Sequence, residues 1–485
     1  MKTSSVLIAI LFWPVILVRW LRWLAIAQQK EYRIDRILSF LQSPEGRRDL
    51  FKILPQKSDF TKLGLKRPVR TARVGVIALT SMMLIFLTLW AYLFLNTILF
   101  CVVLFLVYAA LPFYVLVSCA PTSLISMAVT RWYLWQAQQK LKKCSPKIIG
   151  VGGSYGKTST KHLLQHVLGQ QFAVFMTPKS HNTKLSIAKS ICQTYHGQEV
   201  VILEYGAYTR GEIADLTQWF QPQLAIETGF TLQHYSLFGS EENSMMAESE
   251  LISALPPHGK VFCNGSDDGA VRICEFGAKD HDVEIVYYSG IKSVVQLTQP
   301  AHDQMGKLHF GWKEKLIHTQ LVGLHYVVNV QAAIAVAQEM GMTDDEIIRG
   351  IESFEPNASF VRSSLLASGA LLIDDGGTSN PKGFLAAIEL AKEIHRSPRI
   401  LITSGIVDLG EKSSTVHLDL AKAAAAVFEQ VLYVGIDGLA EFEKEFDQKI
   451  ISEQYEIELA LKRLDANTVV VVEGRIPKWV ENALK

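Results

Sequence analysis

The sequence predicts an α/β protein with transmembrane helices at its N-terminus. Residues 74–130 contain no Asp, Glu, Lys or Arg, and about 20 apolar residues suffice to cross the hydrocarbon core of a bilayer. From about residue 145 onward, short apolar strand-like runs alternate with helical patterns. That alternation is typical of mostly parallel sheets. We therefore expect a membrane anchor over residues 1–144, followed by α/β domains.

The uncharged stretch is long enough for two spans, over about 74–95 and 98–119, with a short turn at Asn96 and Thr97. Its 57 residues exceed what a buried helical hairpin of a soluble protein needs. Pro112 is expected to kink the second span, which membrane helices tolerate.

An earlier apolar run, over about 5–27, is interrupted by Arg19 and Arg22. Two interpretations stay open: a third span, or a helix lying in the interface with its arginines and tryptophans at the headgroups. No small-residue cleavage site follows the run, so we expect an uncleaved anchor rather than a signal peptide.

Flanking charge predicts the orientation of the spans. Residues 30–73 carry 12 Lys and Arg against 5 Asp and Glu. The segment after the second long span is also basic, with Arg131, Lys140, Lys142, Lys143 and Lys147. Positive flanks stay inside, so we expect a multi-pass protein of the plasma (inner) membrane with everything after about residue 130 in the cytoplasm. The same segments could attract anionic lipid headgroups or serve topology alone.

Net charge and cysteine usage exclude two classes of protein. The formal net charge is +1, which argues against a general nucleic-acid binder. The six cysteines form no CxxC pair and no metal-ligand spacing. We therefore interpret the cysteines as small apolar residues in a reducing compartment rather than as disulfide partners or zinc ligands.

A glycine-rich loop follows the first strand-like run of the α/β part. "KIIGV" reads as a strand, "GGSYGKTST" as a loop and "KHLLQHVLGQQ" as a helix. Glycines let backbone amides approach phosphate oxygens, and the helix N-terminus favours negative charge. Val151 occupies the first glycine position of the strict pattern, so a plain glycine turn with a surface lysine is the alternative. Candidate phosphate-binding residues are Gly153, Ser154, Tyr155, Gly156, Lys157, Thr158 and Ser159.

Glu204 ends the next strand-like run, "EVVILEYGA". A carboxylate at the end of a strand beside such a loop is well placed to hold Mg²⁺; an exposed strand-end acid is the alternative. Further strand-like runs cover 224–228, 260–264, 370–375, 399–405, 431–435 and 468–474. A boundary near residue 320 divides the α/β part into domains over 145–320 and 321–485.

From about residue 148 onward, ordered motifs resemble the Mur ligases, most closely the MurF type. They are "GGSYGKTSTK", "SHNT" (180–183), "LEYGAYTRGEIADL" (203–216), "QHYSLFGSEEN" (233–243), "VFCNGSDD" (261–268), "LVGLHYVVNVQAAIAVA" (321–337), "LLIDDGGTSNP" (371–381) and "DLGEKSSTVH" (408–417). The resemblance implies a P-loop Mur-ligase central domain over 145–320 and a Rossmann-like C-terminal domain over 321–485.

The resemblance also implies an activity, which is ATP- and Mg²⁺-dependent amide formation on a muramyl-peptide precursor through an acyl phosphate, with an amino acid or dipeptide such as D-Ala-D-Ala as donor. It implies catalytic roles for Lys157, Glu204 and His234, and metal ligation by Thr158, Glu204, His234 and Glu248. Beyond the glycine loop, the implied ATP contacts are Asn264, Asn329, Arg362, Asp374 and Asp375. The implied substrate contacts are Asn182, Thr183, His325, Asn380 and Arg475. Without the ordered motifs, helix-cap or core histidines would be the favoured interpretation of both His234 and His325.

Several positions depart from the family pattern. Glu248 stands where the family has an often carbamylated lysine that binds a second Mg²⁺. It is a shorter carboxylate, so two alternatives stay open: Glu248 ligates this Mg²⁺, or the second metal is lost. Glu473 replaces the lysine of a C-terminal "KGS", with Arg475 nearby, and Arg362 is shifted by two from the family arginine. These changes lie mostly in the domain that binds the incoming amine.

The family's N-terminal UDP-recognition domain is replaced here by the membrane segment. We therefore expect a membrane-associated acceptor, such as a lipid-linked muramyl peptide, held near the enzyme by anchoring. Two alternatives stay open: a membrane ligase with another acceptor or amine donor, and a nucleotide-binding scaffold without turnover. A transporter motor is disfavoured because no intramembrane charge marks a pathway.

Overall fold

The computed structural model describes residues 3–42, 44–52, 68–92, 96–207, 209–231, 240–357, 359–376, 380–406, 409, 412–446 and 449–484. The chain forms two compact units, Met1–Trp132 and Tyr133–Lys485.

The first unit is helical. Its helices are α1 (Thr3–Gln29), α2 (Ile34–Gln42), α3 (Pro44–Phe51), α4 (Ala72–Ala91), α5 (Thr97–Ala109) and α6 (Leu111–Cys144), the last of which ends in the second unit. Thr71 caps α4 by accepting a hydrogen bond from the amide of Val74, and Asn96 caps α5 through the amide of Leu99. These side chains satisfy amides that the first turn of a helix leaves without partners.

Among the described residues, three helices are long and apolar enough to cross a membrane: Leu7–Gln29, Ala72–Ala91 and Leu111–Cys144. The expected span over 98–119 is not one helix. It is divided at Ala110 between α5, which is too short to span, and α6. The break falls two residues before Pro112. Proline has no backbone N–H group, so it cannot donate the hydrogen bond to the previous turn that a continuous helix requires.

Apolar side chains both join these helices and cover their outer surface. Inside, Trp20 of α1 donates through Nε1 to Ser81 Oγ of α4 at 3.0 Å. Outside, many large apolar side chains are exposed, including Leu79, Phe86, Ile98, Phe105 and Val117. Surface that apolar is unusual for a soluble domain.

The second unit begins with a six-stranded sheet whose strands are all parallel. The strand order is β2-β3-β1-β4-β5-β6. The strands are β1 (Lys147–Gly152), β2 (Val174–Met176), β3 (Val200–Glu204), β4 (Leu224–Glu227), β5 (Gly259–Cys263) and β6 (Val283–Tyr287). β3 and β4 are buried along their whole length, as expected for parallel strands covered by helices on both faces.

Helices cover this sheet, and a small antiparallel sheet follows it. The helices are α7 (Lys157–Leu168), α8 (Lys184–Thr194), α9 (Glu212–Trp219), α10 (Glu241–Ser253) and α11 (Asp268–Ala278). The antiparallel sheet has the order β7 (Thr298–His302), β8 (Lys307–Trp312) and β9 (Lys315–Val322). This three-stranded sheet was not predicted from the sequence.

A second six-stranded sheet has the order β10-β11-β15-β12-β13-β14, in which β10 alone is antiparallel to its neighbour. Its strands are β10 (Arg362–Leu365), β11 (Leu371–Asp375), β12 (Arg399–Thr403), β13 (Gln430–Tyr433), β14 (Ile450–Ile451) and β15 (Val469–Glu473). The accompanying helices are α12 (Val327–Glu339), α13 (Asp344–Glu352), α14 (Pro381–Glu393), α15 (Ser413–Ala425), α16 (Leu439–Phe446), α17 (Gln454–Leu461) and α18 (Lys478–Ala483).

The predicted mixed α/β architecture with parallel sheets is confirmed. Every apolar run that the sequence analysis assigned to a strand forms one, because four or five consecutive β-branched or aliphatic residues are buried on both faces of a covered sheet. The edge strands β2, β6, β10 and β14 are short or only partly buried, so they left no clear apolar run to recognise.

Candidate functional site

A glycine loop joins β1 to α7 at the carboxyl edge of the first sheet. Gly153 has φ +113° and Gly156 has φ +77°, both in the region that favours glycine. A Cβ on Gly153 would lie 2.3 Å from Thr228 Oγ1, so no larger residue fits there. Gly156 begins α7 without any side-chain cap. The first amides of α7 therefore keep the potential to bind an anion.

Lys157, the first residue of α7, folds back over this loop. Its ammonium group donates a hydrogen bond to the carbonyl oxygen of Gly153. The loop is further fixed by the amide of Ser154, which donates to the carbonyl of Gly229 at 2.7 Å. Val151 takes no part in the turn: it lies within β1, in register with Glu204 of β3. Its departure from the strict glycine pattern therefore leaves the loop intact.

Glu204 lies at the end of β3 directly beside the loop. Its Oε2 accepts from Thr158 Oγ1 at 3.1 Å and from Lys161 Nζ, also at 3.1 Å. Glu204 and Lys161 are buried, so the alternative of an exposed strand-end acid does not apply. Burial lowers the pKa of Lys161, against the opposing effect of Glu204. Sequence reasoning missed Lys161, although its spacing of four from Lys157 places it one turn further along α7.

Two further carboxyl groups face the loop from its other side. Glu248 of α10 is buried and accepts from the amide of Gly153 at 3.3 Å. Glu227 ends β4, is 0% exposed, and has no hydrogen-bond partner for either carboxyl oxygen among the described residues. Burial raises the pKa of both groups, and the charge of Glu248 raises that of Glu227 further. Glu227 carried no sequence signal, because it reads as the last residue of an apolar strand.

Tyr155 connects the loop to α14. Its hydroxyl donates to Asp267 Oδ2 at 2.7 Å, and the same oxygen forms an ion pair with Lys382. The Lys382 ammonium lies 4.5 Å from the centroid of the Tyr155 ring and donates to the carbonyl of Phe230 at 3.0 Å. Burial alone raises the pKa of Asp267, but the hydrogen bonds from Lys382 and Tyr155 outweigh it and the pKa is lowered. Neither Asp267 nor Lys382 was singled out from the sequence.

The two predicted asparagines beside the loop are both buried. Asn329 of α12 donates to Thr160 Oγ1 at 2.8 Å, and its Nδ2 would lie 3.6 Å from a Cβ on Gly156. Asn264 donates to the carbonyl of Thr228 at 2.8 Å. Both asparagines therefore hold residues next to the loop in place through hydrogen bonds. Their contact with a nucleotide stays a prediction.

The predicted substrate contacts fill several structural roles. Thr183 caps α8 with a reciprocal hydrogen bond to Ser186, and Asn380 caps α14 through the amide of Gly383. Asn182 lies against Gly206, where a Cβ would come within 2.9 Å of its Nδ2. These caps position the loops that carry the residues, and substrate contact stays a prediction. His234 lies outside the described residues.

His325 lies in a single 3₁₀ turn (Leu324–Tyr326) with its ring centroid 4.1 Å from that of Tyr326. Burial lowers its pKa from 6.5 to about 4. Between these values the unfolded chain takes up a proton that the folded histidine does not. We therefore expect the free energy of unfolding to fall by at most about 3 kcal/mol as the pH drops from 6.5 to 4. His325→Gln should flatten this slope in denaturation curves, whereas exposed His281→Gln should not. An unchanged slope in His325→Gln would contradict the expectation.

Three C-terminal predicted residues meet in one cavity of about 770 Å³: Arg362, Asp374 and Arg475 line it together. Arg362 donates to Asp374 Oδ2 at 2.8 Å. Asp375 points elsewhere and shares a hydrogen bond with Glu473, its partner in register on β15. Burial raises the pKa of Asp375. Asp374 therefore faces the cavity and Asp375 faces Glu473. The sequence alone did not distinguish the two positions.

Among the described residues, no group of three or more His, Cys, Asp and Glu side chains is arranged to hold a metal ion. The side-chain oxygens beside the loop occur in pairs, Thr158 with Glu204 and Glu227 with Glu248. Pairs are compatible with Mg²⁺, which often uses one or two carboxylates and completes its shell with water and phosphate oxygens.

A parallel sheet with a glycine loop, a following lysine and a buried strand-end carboxylate defines the P-loop class of α/β proteins. Comparison with known families narrows this class. Residues 151–337 match the model of the Mur ligase middle domain. Over these residues the chain is similar to the Mur ligases, and it is MurF-like.

Its relatives support the same assignment. The UDP-N-acetylmuramoyl-tripeptide–D-alanyl-D-alanine ligase of Bacillus subtilis is 26% identical over 284 residues, covering 58% of this chain and 61% of the relative. The Treponema pallidum ligase of the same name is 27% identical, covering 59% and 61%. The chain thus spans about three fifths of these relatives.

Solved structures show the same fold. MurF from Acinetobacter baumannii has a TM-score of 0.64 at 22% identity, covering 74% of this chain and 79% of that one. MurF from Thermotoga maritima, in complex with ADP, has a TM-score of 0.62 at 22% identity, covering 73% and 82%.

Proposed function

We propose that this protein is an ATP-dependent ligase that forms an amide bond on a muramyl-peptide-type cell-wall precursor, with D-Ala-D-Ala as the amine donor. The observation that carries the proposal is the arrangement of Lys157, Thr158 and Glu204 around the glycine loop. The names of the MurF-type relatives support the choice of donor and acceptor.

The proposed reaction has two steps. The acceptor carboxylate attacks the γ-phosphorus of ATP, which breaks the bond to the β–γ bridging oxygen and gives an acyl phosphate and ADP. The amine then attacks the acyl carbon, releases inorganic phosphate and loses a proton as the amide forms. Negative charge spreads over the transferred phosphoryl oxygens, so positioned cations and amides contribute most to catalysis.

The residues of the loop fit ATP and Mg²⁺. We assign the phosphates to the amides of residues 153–159 and to Lys157, which must exchange the Gly153 carbonyl for a phosphate oxygen. Thr158 and Glu204 present hard oxygen ligands 3.1 Å apart, so they would hold Mg²⁺, which neutralises phosphate charge when bound. Lys161 would orient Glu204 through its hydrogen bond to Glu204 Oε2. Asn264 and Asn329 would support the loop, and Asp374, Asp375 and Arg362 would lie toward the nucleotide.

We assign the amine donor and acceptor to the C-terminal domain (321–485) and the loops facing it. Arg475 supplies a cation for a donor carboxylate in the 770 Å³ cavity. His325, Asn182, Thr183 and Asn380 complete the proposed substrate contacts. His234 stays a proposed metal ligand. The central domain (145–320) holds the nucleotide, and the C-terminal domain is proposed as Rossmann-like.

We further propose that residues 1–144 anchor the protein in the plasma membrane, with its ligase domains in the cytoplasm. Three helices of sufficient length and apolarity support this, as do the exposed apolar side chains of α4, α5 and α6. Basic flanks support the orientation. A lipid-linked muramyl peptide is then the proposed acceptor, because anchoring raises the local concentration of a membrane-bound substrate.

The testing experiment is phosphate release by the intact, detergent-purified protein with Mg-ATP. D-Ala-D-Ala would be supplied with a UDP-linked acceptor, with a lipid-linked acceptor, or without acceptor. We expect release only when donor and acceptor are both present, and faster release with the lipid-linked acceptor. ATP binding without release under all three conditions would favour a scaffold. Equal rates with both acceptors would remove the case for a lipid-linked substrate.

A further inference from the structure

Arg19 is a buried cation inside the helical first unit. It is 5% exposed and lies within Leu7–Gln29, the first of the helices that are apolar enough to cross a membrane. Its two terminal nitrogens donate to the carbonyl oxygens of Lys52 and Leu50, at 2.6 Å and 2.9 Å, where α3 ends. An ionisable side chain inside a membrane segment is costly and usually marks a functional site.

Contacts between the helices set the depth of Arg19 in the proposed anchor. Gln28, near the end of α1, exchanges two hydrogen bonds with the backbone of Val69, just before α4 begins. Trp20 donates to Ser81, which lies halfway along α4. The two helices are therefore antiparallel, and Arg19 lies beside a point roughly 14 Å along α4 from its first residue. In the proposed anchor this is close to the middle of the hydrocarbon core.

The surroundings of Arg19 leave its charge uncompensated. Asp49 of α3 forms an ion pair with Arg22, which lies one turn from Arg19 on α1. The contacts described for Arg19 itself are uncharged: the two carbonyl groups and the ring of Tyr108, whose centroid is 5.1 Å from the guanidinium carbon. Carbonyl groups at the end of a helix carry only a partial negative charge. Two arginines and one carboxylate therefore leave a net positive charge at this depth.

Two buried hydrogen-bond donors at this place have no acceptor among the described residues. They are Nε of Arg19 and Nε1 of Trp23, a residue that is 2% exposed. The two residues are four positions apart in α1, so they lie on the same face of the helix. Most buried donors in native proteins are hydrogen-bonded. These two therefore point to an acceptor that the described residues do not supply.

The chemistry of the donors selects an anionic oxygen ligand. A guanidinium group is always charged and binds phosphate oxygens through two parallel hydrogen bonds. Within a bilayer, the abundant anions are the phosphate groups of lipids. Arg47 and Arg48 are exposed on α3, the helix that ends at Arg19, and they extend the positive surface around it. A lipid phosphate satisfies both the open donors and the excess charge.

We propose that Arg19, Arg22 and Trp23 of α1, here called the α1 basic cluster, bind the phosphate group of a membrane lipid. Arg19 supplies the charge and Trp23 a further donor. The inference goes beyond the proposed function, because lipid binding requires no turnover. It rests on that function only where the lipid is taken to be the acceptor, whose lipid-linked form would place its phosphate at the cluster.

The test is lipid binding to the intact protein in nonionic detergent, measured by native mass spectrometry. The probes are a polyprenyl pyrophosphate, phosphatidylglycerol and inorganic pyrophosphate. We expect saturable binding of at least one lipid, and Arg19→Gln should weaken it by at least about tenfold, because a charged hydrogen-bond donor is lost. The matched control is Arg70→Gln, which removes an exposed arginine outside the cluster and should leave the affinity unchanged.

The three probes separate the possible sources of the phosphate. Tighter binding of the polyprenyl pyrophosphate would support a site for the lipid-linked acceptor, and tighter binding of phosphatidylglycerol would support a site for a bulk lipid. Inorganic pyrophosphate that binds as tightly as either lipid would overturn the assignment to a lipid. Equal lipid affinity in Arg19→Gln and wild type would overturn the proposal as a whole.

A second variant covers the case in which Arg19→Gln folds poorly, since it also loses the hydrogen bonds to α3. Trp23→Phe keeps an aromatic ring and removes the Nε1 donor. We expect it to weaken lipid binding by about threefold or more while the melting temperature changes little, because this donor has no described partner in the protein. Wild-type lipid affinity in Trp23→Phe would contradict the proposed contact.

The lipid site and the proposed function can fail separately. If lipid binding depends on Arg19 but no acceptor is ever ligated, the proposed function fails and the lipid site stands. If a lipid-linked acceptor is ligated and Arg19→Gln changes neither its KM nor lipid binding, the function stands and the lipid site fails.

Discussion

Replacing Lys157 by alanine is expected to lower acceptor-dependent phosphate release by about 10³-fold, which is the usual size of the loss when one preorganised donor is removed from a developing negative charge. Among the described residues this ammonium group donates to the carbonyl of Gly153, and its charge opposes the rise in pKa of the buried Glu227 and Glu248. The melting temperature of the variant is therefore measured as well, to separate lost stability from lost catalysis. The measurement is the initial rate of phosphate release under saturating Mg-ATP, donor and acceptor.

The matched control is Lys279→Ala, an exposed lysine just beyond α11. It removes the same charge from the same unit and should leave the rate within about twofold, because surface charges are largely screened. A Lys157→Ala enzyme that retains more than a tenth of the wild-type rate would show that the lysine does not act on the transferred phosphoryl group. The assignment of the glycine loop as the phosphate site would then lose its main support.

Replacing Lys161 by methionine is expected to destabilise the second unit by about 3–5 kcal/mol, because it leaves the Glu204 carboxylate buried without its cation. Both partners are almost fully enclosed, with side-chain exposures of 0% and 3%, so solvent cannot replace the lost interaction. The free energy of unfolding of the intact protein in detergent, measured with chemical denaturant, checks the value.

The double variant Lys161→Met, Glu204→Gln tests the cause. Removing both charges abolishes the uncompensated burial, so the double variant should recover a large part of the stability that Lys161→Met loses. The same double variant should stay inactive, because the proposed Mg²⁺ ligand is gone. If the double variant were less stable than Lys161→Met, packing of the lysine stem rather than charge pairing would explain the loss.

The position of the glycine loop and the parallel order of the sheets were predictable because both depend on local patterns. A strand such as 468–474 is a continuous apolar run with β-branched residues, and only a strand covered on both faces accommodates it. Glycine at 153 and 156 marks a loop because other residues would be strained at its backbone angles. Signals of this kind lie within about ten residues and need no knowledge of distant contacts.

The span over 98–119 was expected to kink at Pro112, and the structure instead divides it into two helices just before that proline. Hydropathy averages over a window and does not respond to one proline, whereas the backbone geometry before Pro112 does. The helix accordingly ends at Ala109 and begins again at Leu111. The domain limits near 144 and 320 stay predictions.

Residue composition and order were enough to specify the α/β class, the glycine loop, the strand-end Glu204 and the apolar helices, since each depends on neighbours in the chain. The partners of the site depend on contacts between distant segments. Lys161 with Glu204 joins residues 43 positions apart, Glu248 with Gly153 joins residues 95 apart, and Lys382 with Asp267 joins residues 115 apart. Folding sets such contacts by packing helices onto the sheet edge. The buried, unpartnered carboxyl group of Glu227 could thus be recognised only once β4 lay beside β1.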